Sequence, residues 1–312
     1  MARYLVTGGA GFIGSNIVEE LVGRGEDVVV LDDLSTGKME NIEPFIDRID
    51  FIKGDIRDGD MVEKAMNGVD FVLHQAALAS VPRSIENPVL VNDVNIGGTI
   101  MVLEKAREAG VKRVVYAASS SAYGDTEVLP KTESMLPMPL SPYAVSKLTG
   151  EYYCSVYYNV YGLSTIALRY FNVFGPRQDP KSQYAAVIPI FITSLLTDRS
   201  PTIFGDGEQS RDFTFVSNVV KANLLAAESE NAMGQTINVA CGDRYTLNEL
   251  YAILKKLTGK DVDPIFADPR PGDVKHSQAD INLAEKLIDY HPEVSFEEGL
   301  EKTVEWYEES LV

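Results

Sequence analysis

A glycine-rich turn between a short apolar strand and a helix limits what this chain can fold into more than any other feature of its sequence. Tyr4 to Val6 form the strand pattern, Thr7 to Gly14 the turn, and Ser15 to Val22 the helical pattern. Glycine suits a tight turn, a close approach of backbone to pyrophosphate, and close packing of helix on strand. The helix N-terminus then offers N–H groups to phosphates. The arrangement predicts a dinucleotide site, and a merely tight strand-to-helix turn is the alternative.

Two glycine spacings fit the turn, and both predict contacts to a dinucleotide. G-x-G-x-x-G runs through Gly9, Gly11 and Gly14, whereas G-x-x-G-x-x-G begins at Gly8. The backbone of the turn and of the first helical residues would then surround the pyrophosphate. The residues of the turn that are predicted to contact the cofactor are Gly8, Gly11, Phe12, Ile13 and Gly14.

A carboxylate follows the second predicted strand, Asp27 to Leu31, where a dinucleotide fingerprint expects one. Asp32 would accept hydrogen bonds from the adenosine 2′- and 3′-hydroxyls and repel a 2′-phosphate, which favours NAD over NADP. Lys38, a nearby cation, weighs slightly against this preference. After the third strand, Asp55 either hydrogen-bonds the adenine amino group or caps a helix, and Ile56 is predicted to contact the cofactor beside it.

A fourth apolar strand, Phe71 to His74, runs into small residues, so that backbone can approach a cofactor. His74 is interpreted as a hydrogen-bonded residue at a strand end rather than as a catalyst. The segment from Ala79 to Ser84 is predicted to be a loop whose hydroxyls and arginine contact a substrate or serve only the loop. The predicted cofactor contacts after this strand are Gln75, Ala76 and Ala77.

Strand and helix patterns alternate over the first half of the chain, which predicts a doubly wound α/β fold with a parallel sheet. We expect a Rossmann-type domain over residues 1–172, with a returning segment near 213–240, and a smaller mixed α/β substrate lobe over 173–312. Three serines, Ser119 to Ser121, follow the strand that begins at Arg113. They would lie at the edge where such sheets bind ligands.

Composition excludes several classes of partner. The formal net charge is −18, from 28 Lys and Arg against 46 Asp and Glu, whereas nucleic acid or an anionic membrane would need a basic surface. The two cysteines and three histidines lack metal-ligand spacing, which predicts no metal site and a reducing compartment. No apolar run approaches ~20 residues, and no signal-like segment opens the chain. We expect a cytoplasmic protein that binds neither nucleic acid nor membrane.

Tyr143 and Lys147 lie four residues apart near the start of a helix predicted from Ser141 to about Val160, so their side chains share one helix face. A free tyrosine titrates near ~10, and a tyrosine that acts as a general base needs a nearby cation or hydrogen-bond donors to lower its pKa. Lys147 could be that cation. A pair of surface neighbours without chemistry is the alternative.

Together these motifs resemble the extended short-chain dehydrogenase/reductase family, and within it the nucleotide-sugar 4-epimerases. The resemblance covers essentially the whole chain. It rests on the glycine turn, Asp32, Tyr123-Gly124, Tyr143 and Lys147, Arg169 to Asn172, Gly205 to Gly207, Arg211 to Phe213, and Arg270 to Asp273. Counting back from Tyr123 places the family's catalytic Ser/Thr on Ser119, with Tyr143 and Lys147 at the other two catalytic positions.

The resemblance also implies a reaction. Related 4,6-dehydratases carry Asp-Glu directly after the catalytic Ser/Thr, and uronic-acid decarboxylases carry Glu there, whereas this chain has Ser120 and Ser121. Dehydration and decarboxylation are therefore disfavoured. The reaction that remains is oxidation of a sugar at C4 followed by return of the hydride. Tyr143, assisted by Ser119, would remove the C4-hydroxyl proton while tightly bound NAD takes and returns the hydride. Lys147 would hold the nicotinamide ribose and lower the Tyr143 pKa.

Finer expectations follow from the same resemblance. The branch that acts on UDP-N-acetylglucosamine is the most similar, over His74 to Ser84, Gln178 to Pro180 and Tyr184 to Pro189. Ser277 stands where a bulky residue restricts some relatives to unacetylated sugars, and its small size permits the acetylated substrate without requiring it. The alternatives are an epimerase of UDP-glucose or of a 6-carboxylated sugar, and an NAD-sensing protein without chemistry. Tyr170 would contact the cofactor. The residues implied to contact the UDP-sugar are Ala79, Ser80, Ser120, Ser121, Asn172, Gln178, Ala186, Val187, Arg211, Arg270, Asp273 and Ser277.

A homodimer is implied as well, through a four-helix interface. Each subunit would contribute the helix predicted from about Asn92 to Ala109 and the helix from Tyr143 to Val160. Apolar positions on both helices permit this interface, but they would serve an intrachain core equally well.

Overall fold

Strands and helices alternate along the computed structural model, which describes residues 1–180, 186–269 and 274–311. The strands are β1 (Arg3–Thr7), β2 (Asp27–Asp32), β3 (Asp50–Lys53), β4 (Phe71–His74), β5 (Arg113–Ser119), β6 (Thr165–Tyr170), β7 (Val173–Phe174), β8 (Thr202–Phe204), β9 (Ser210–Arg211), β10 (Thr214–Phe215), β11 (Thr236–Val239), β12 (Tyr245–Thr246) and β13 (Ile265–Ala267). The α-helices are α1 (Phe12–Gly23), α2 (Gly59–Ala65), α3 (Val81–Glu86), α4 (Pro88–Asn92), α5 (Gly98–Ala109), α6 (Pro142–Tyr161), α7 (Val187–Leu196), α8 (Val216–Glu228), α9 (Leu247–Thr258), α10 (Asn282–Ile288) and α11 (Phe296–Leu311). A π-helical turn, Asp93–Gly97, joins α4 to α5, and 3₁₀ turns cover Met39–Asn41, Glu43–Arg48 and Ser120–Tyr123.

Seven parallel strands form the central sheet, in the order β3-β2-β1-β4-β5-β6-β11. This order confirms the predicted doubly wound α/β fold. The chain reverses its direction of progress between β1 and β4, and the crevice outside their carboxyl ends is where such sheets bind ligands. Within the predicted returning segment, β11 pairs with β6 and α8 packs against α1. The domain division at residue 172 stays a prediction.

Both faces of this sheet are buried, as expected for parallel strands that read as continuous apolar runs. On β1, Leu5 belongs to one apolar core and its neighbour Val6 to the core on the opposite face. The same alternation separates Val29 from Val30 on β2. Since fully burying each such side chain contributes roughly 1.5–3 kcal/mol, the two cores hold the strand ends in a defined register.

The remaining strands form three two-stranded pairs, β7 with β10, β9 with β12 and β8 with β13. Of these, β9 and β12 run antiparallel, with Arg211 opposite Tyr245. Helices α7, α9 and α11 pack on one another beside these pairs. None of the helices within the described ranges is both long and apolar enough to cross a membrane.

Two sequence-based boundaries were wrong, and helix caps explain both. The segment predicted as a loop from Ala79 to Ser84 contains the start of α3, because the Ser80 hydroxyl caps it by accepting a hydrogen bond from Arg83 N at 3.2 Å. The helix predicted to begin near Asn92 begins at Pro88. The Asn87 side chain accepts a hydrogen bond from Leu90 N, and proline suits the first helical position.

Candidate active site

A cavity opens at the carboxyl ends of β1, β2, β4 and β5, and α6 closes one side of it. Every residue predicted from the sequence to contact a cofactor lines this cavity. These are Gly8, Gly11, Phe12, Ile13, Gly14, Asp32, Asp55, Ile56, Gln75, Ala76, Ala77, Tyr143, Lys147 and Tyr170. Others that the sequence reasoning did not name also line it, among them Ser35, Thr36 and Ala118. Ser35 and Thr36 could have been named, because they lie three and four residues after the predicted ribose carboxylate, Asp32.

The glycine turn has no room for side chains. Gly8 has φ +69°, and a Cβ there would lie 2.7 Å from the backbone nitrogen of Ala76. A Cβ on Gly14 would lie 2.1 Å from the Gly8 carbonyl oxygen. Gly9 instead faces the Val30 side chain, 2.7 Å from where its Cβ would be. The spacing that begins at Gly8 is therefore the one that faces the cavity, and it leaves bare backbone where a pyrophosphate would approach.

Asp32 ends β2 with its carboxylate in the cavity wall and only 6% of the residue exposed. One oxygen accepts a hydrogen bond from Ala10 N at 2.9 Å, and the other accepts one from Leu34 N at 2.8 Å. Burial raises the Asp32 pKa, and these two donors oppose the rise. An ionised carboxylate has about four acceptor positions, so capacity remains for two hydroxyl donors. The ammonium of Lys38 lies 3.2 Å from Asp179, so it already has an anionic partner.

Asp55 does not cap the following helix, because the N-cap of α2 is Asp58, which accepts from the nitrogens of Asp60 and Met61. The Asp55 carboxylate instead pairs with Arg57, whose Nη2 lies 2.5 Å away. This pairing holds the Asp55 pKa below its ordinary value. The capping interpretation is thus wrong, and the predicted adenine contact stays a prediction.

Two buried hydrogen-bond networks support the cavity floor. Gln75 and Tyr170 both hydrogen-bond Asn223 of α8. Gln75 Nε2 donates to Asn223 Oδ1 at 3.0 Å, and Asn223 Nδ2 donates to the Tyr170 phenol oxygen at 2.8 Å. No local signal in the sequence pointed to Asn223, since it comes from a helix more than 50 residues after Tyr170.

His74 lies between the hydroxyls of Thr7 at 2.6 Å and Thr99 at 3.0 Å. Burial lowers its pKa to about 3, so it is neutral, as expected for a structural residue.

Ser119 and Tyr143 meet where β5 ends and α6 begins. The Ser141 hydroxyl caps α6 by accepting from Ala144 N at 3.1 Å, which places Tyr143 in the first turn. Ser119 is the last residue of β5, and its hydroxyl is placed to hydrogen-bond the Tyr143 phenol. The hydroxyl and backbone nitrogen of Ser121 also donate to Ser119 Oγ, at 2.9 and 3.2 Å. Burial raises the Tyr143 pKa, and the hydrogen bond from Ser119 opposes this rise.

Lys147 is buried one turn further along α6, with 4% of the residue exposed. Its ammonium donates to the Ala117 carbonyl at 2.8 Å and lies 5.1 Å from the centre of the Tyr116 ring. Burial lowers the Lys147 pKa to about 8. Among the groups that act on the Tyr143 pKa, the Ser119 hydroxyl opposes the rise caused by burial. The predicted lowering of that pKa by Lys147 stays a prediction.

A second cavity lies in the smaller lobe, and four of the predicted substrate contacts line it: Asn172, Ala186, Val187 and Arg211. Its wall is otherwise mainly apolar, with Phe174, Ile190, Phe191 and Phe213. Arg211 Nη1 donates to the carbonyls of Ser210 at 3.0 Å and Lys275 at 3.2 Å. The cavity combines a flat apolar wall with a cation, which suits a heterocycle that carries phosphate.

The other predicted substrate contacts are distributed differently. Ala79 lines the first cavity, and Ser80 caps α3. Ser120 and Ser121 form the 3₁₀ turn after Ser119. The Gln178 side chain donates to the Val173 carbonyl at 3.1 Å, and Ser277 N donates to Ser210 O at 3.0 Å. Arg270 and Asp273 lie outside the described residues. No cluster of three His, Cys, Asp or Glu suited to a metal occurs in the described part of the chain.

Comparison with known proteins assigns the chain to a family. A model of the NAD dependent epimerase/dehydratase family matches residues 4–240. The chain belongs to this family. Membership confirms the resemblance seen in the sequence and the predicted cofactor, NAD, which the glycine turn and Asp32 fit.

Relatives of known name agree across their whole length. A putative UDP-glucose 4-epimerase of Methanocaldococcus jannaschii is 44% identical, with 97% of each chain covered. A UDP-N-acetylglucosamine 4-epimerase of Methanobrevibacter ruminantium, solved with UDP-N-acetylmuramic acid, is 45% identical with a TM-score of 0.95, over 99% of both chains. A Thermus thermophilus UDP-glucose 4-epimerase, solved with NAD, is 40% identical with a TM-score of 0.89, over 98% and 99% of the two chains. These similarities confirm the predicted enzyme class, an isomerase of the 4-epimerase type.

Proposed function

We propose that this epimerase interconverts UDP-N-acetylglucosamine and UDP-N-acetylgalactosamine and also accepts UDP-glucose and UDP-galactose. One observation carries the 4-epimerase reaction. The Ser119–Tyr143 pair is formed beside the NAD cavity, and the next two residues are serines rather than carboxylates. A base without a neighbouring carboxylate supports oxidation and reduction at one carbon without loss of water or carbon dioxide.

The residues would divide the chemistry as follows. The Tyr143 phenolate accepts the C4-hydroxyl proton, and Ser119 stabilises the phenolate by donating a hydrogen bond to it. Bound NAD would supply the hydride acceptor and donor for C4 of the sugar. Tyr143 then gives its proton back to the C4 oxygen, after the 4-keto sugar has turned in the site. Lys147 supplies positive charge on the same helix face, and Asp32 and the glycine turn orient the cofactor.

Acceptance of the acetamido group rests on small residues near the nucleotide cavity. Ser277 bonds through its backbone to Ser210, next to Arg211 in the cavity wall. A serine leaves space where a bulky side chain would exclude the acetyl group, and Ala186 is similarly small. The 45% identity to an enzyme named for UDP-N-acetylglucosamine supports the same choice.

Side-by-side steady-state assays of UDP-N-acetylgalactosamine and UDP-galactose test the substrate. Ser277→Tyr is expected to lower kcat/KM for the acetylated sugar by at least roughly tenfold, because the ring fills the acetamide space, while UDP-galactose changes little. Ser277→Ala is the matched control and should retain both activities. A wild-type enzyme that turns over the acetylated sugar far more slowly than UDP-galactose would refute the proposal.

We also propose that two copies of the chain associate through α6. Its exposed apolar residues Val145, Tyr152, Val156 and Val160 follow one helix face, and Tyr152 and Val160 are 56% and 66% exposed. Ile85 on α3 and Val89 on α4 add exposed apolar surface near by, whereas the charged residues of α5 form ion pairs. Such a row is typical of an association surface. Cytoplasmic localisation stays a prediction.

Sedimentation velocity at micromolar concentration tests the dimer. Tyr152→Glu should convert the dimer to monomer, because it places a charge in the centre of the apolar row. Val128→Glu, at an exposed apolar residue away from α6, should leave the mass unchanged. A wild-type monomer would refute the proposed association.

A further inference from the structure

A buried ion pair lies behind the catalytic residues, and the proposed mechanism does not use it. Arg169 Nε and Nη2 donate to the two carboxylate oxygens of Glu151 at 2.9 and 2.7 Å. Only 3% of Glu151 and 4% of Arg169 are exposed. A buried pair loses the hydration of both charges and is often no more stable than an apolar pair of similar size. Stability alone is therefore a weak explanation for it.

The pair contacts the structural elements that carry all three catalytic residues. Glu151 lies on α6, one turn beyond Lys147 and two turns beyond Tyr143. Arg169 lies on β6, directly opposite Ala118 of β5, whose next residue is Ser119. The Arg169 guanidinium lies 4.7 Å from the ring of Tyr123, which ends the 3₁₀ turn that follows Ser119. One ion pair thus joins the helix of the base to the strand and turn of its hydroxyl partner.

We propose that Glu151, oriented by Arg169, is a positioning residue that keeps Lys147 charged and holds α6 in register against β5. This inference rests on the proposed function, in which the Lys147 ammonium takes part. The carboxylate is the nearest anion on the lysine's own helix face, since residues at i and i+4 are neighbours. Its charge raises the Lys147 pKa against the lowering by burial, and the lysine in turn lowers the Glu151 pKa.

Other groups around Lys147 cannot replace this carboxylate. On α6 the remaining titratable neighbours are Tyr143 and Cys154, and burial raises the pKa of both, so they are uncharged near neutral pH. Tyr116 of β5 is neutral for the same reason, and His74 of β4 is neutral because burial lowers its pKa. The charged residues on the other helices and turns that pack against α6 are Arg83, Glu86, Asp93, Glu104, Lys105, Arg107 and Glu108. Of these, Asp93 pairs with Arg57, Glu104 with Arg107, and Lys105 with Glu108 and Glu63, at the surface.

The pH dependence of kcat tests the inference. Glu151→Gln keeps the shape but removes the charge, so Lys147 should lose its proton at a lower pH. The alkaline limb of the kcat profile should move down by at least about half a pH unit, which is roughly a threefold loss on that limb. Glu151→Asp retains the carboxylate and should keep the limb at the wild-type pH. A limb at the wild-type position in Glu151→Gln would overturn the proposal, as would equal profiles in both variants.

Glu151→Gln leaves the buried charge of Arg169 unpaired, which is destabilising, so the experiment needs a control for folding. If Glu151→Gln does not fold, Glu151→Gln combined with Arg169→Gln removes both charges and is measured instead. Its alkaline limb should again lie below that of wild type, and an unshifted limb would refute the inference. The Tyr143→Phe variant distinguishes this result from failure of the proposed function, since unchanged epimerisation in that variant would remove the mechanism itself.

Discussion

The two cavities of this protein differ in how their walls are built. The cofactor cavity takes its wall largely from the ends of parallel strands and from the helices that follow them, in the first 170 residues of the chain. The second cavity takes its wall from α7 and from short segments between residues 172 and 247. Every cofactor contact predicted from the sequence lines the first cavity, but only four predicted substrate contacts line the second. A site at the ends of parallel strands can be predicted from local sequence patterns. A site between short segments depends on contacts between residues that are far apart in the sequence.

The chemistry of the two walls differs as well. The cofactor cavity contains a buried carboxylate, Asp32, and a buried ammonium, Lys147, each held by backbone hydrogen bonds. The wall of the second cavity is mainly aromatic and aliphatic, with Arg211 as a cation in it. We therefore expect changes in the first wall to alter catalysis or cofactor content, and changes in the second to alter substrate affinity.

Tyr143→Phe should have the largest effect, because it removes the proposed base, which lines the cofactor cavity. We expect kcat for epimerisation to fall by roughly 10³-fold, within the usual range for loss of a general base. Binding of UDP, measured by calorimetry, should change little, since the second wall is intact. Epimerisation at the wild-type rate would remove Tyr143 from the mechanism.

Arg211→Met should affect the second cavity alone. A hydrogen bond to a charged group contributes about 1.5–3 kcal/mol, so KM for the UDP-sugar should rise by roughly 10- to 100-fold with little change in kcat. Arg199→Met, at an exposed arginine beyond α7, is the matched control and should resemble wild type. A fall in kcat at unchanged KM would contradict the assignment of Arg211 to the nucleotide.

Gly8→Ala should affect the first cavity alone. Its φ of +69° strains an alanine, and the new Cβ would lie 2.7 Å from the backbone nitrogen of Ala76. We expect a loss of more than about 1 kcal/mol in the free energy of unfolding and less NAD retained after purification. Gly23→Ala is the control, because nothing lies within 4 Å of its added Cβ. Urea unfolding and the absorbance of released nucleotide measure both effects, and equal results for the two variants would count against the turn as the cofactor cradle.

The effect of His74 should be absent at neutral pH and appear only at low pH, in the stability of the folded protein. Its pKa is about 3 in the folded protein and near ~6.5 when unfolded, so the unfolded chain binds the extra proton between these values. The free energy of unfolding should therefore fall as the pH decreases from 6.5 towards 3, with up to about 1.4 kcal/mol per pH unit from this group. His74→Asn should show a shallower slope in urea titrations between pH 6.5 and 4.5.

Several features could not be predicted because their partners are distant in sequence. Asn223 joins Gln75 and Tyr170 only because α8 returns to pack near β4 and β6. Glu151 reads as an ordinary polar helix residue until β6 brings Arg169 to it. The start of α3 was a different failure. Ser80 and Pro82 are a local cap signal, which the predicted loop overlooks.

The sequence by itself determined the parallel sheet, the cofactor cradle and the order of the catalytic residues. These depend on local rules: where a strand ends, where glycine is required, and which residues share a helix face. The tertiary structure alone decided that Ser119 meets Tyr143 and that Lys147 turns towards Ala117. It also decided that the carboxylate of Glu151, one helical turn beyond Lys147, is buried and paired with Arg169. Side-chain direction and burial depend on packing between elements far apart in the chain, and burial controls the pKa values on which the chemistry depends.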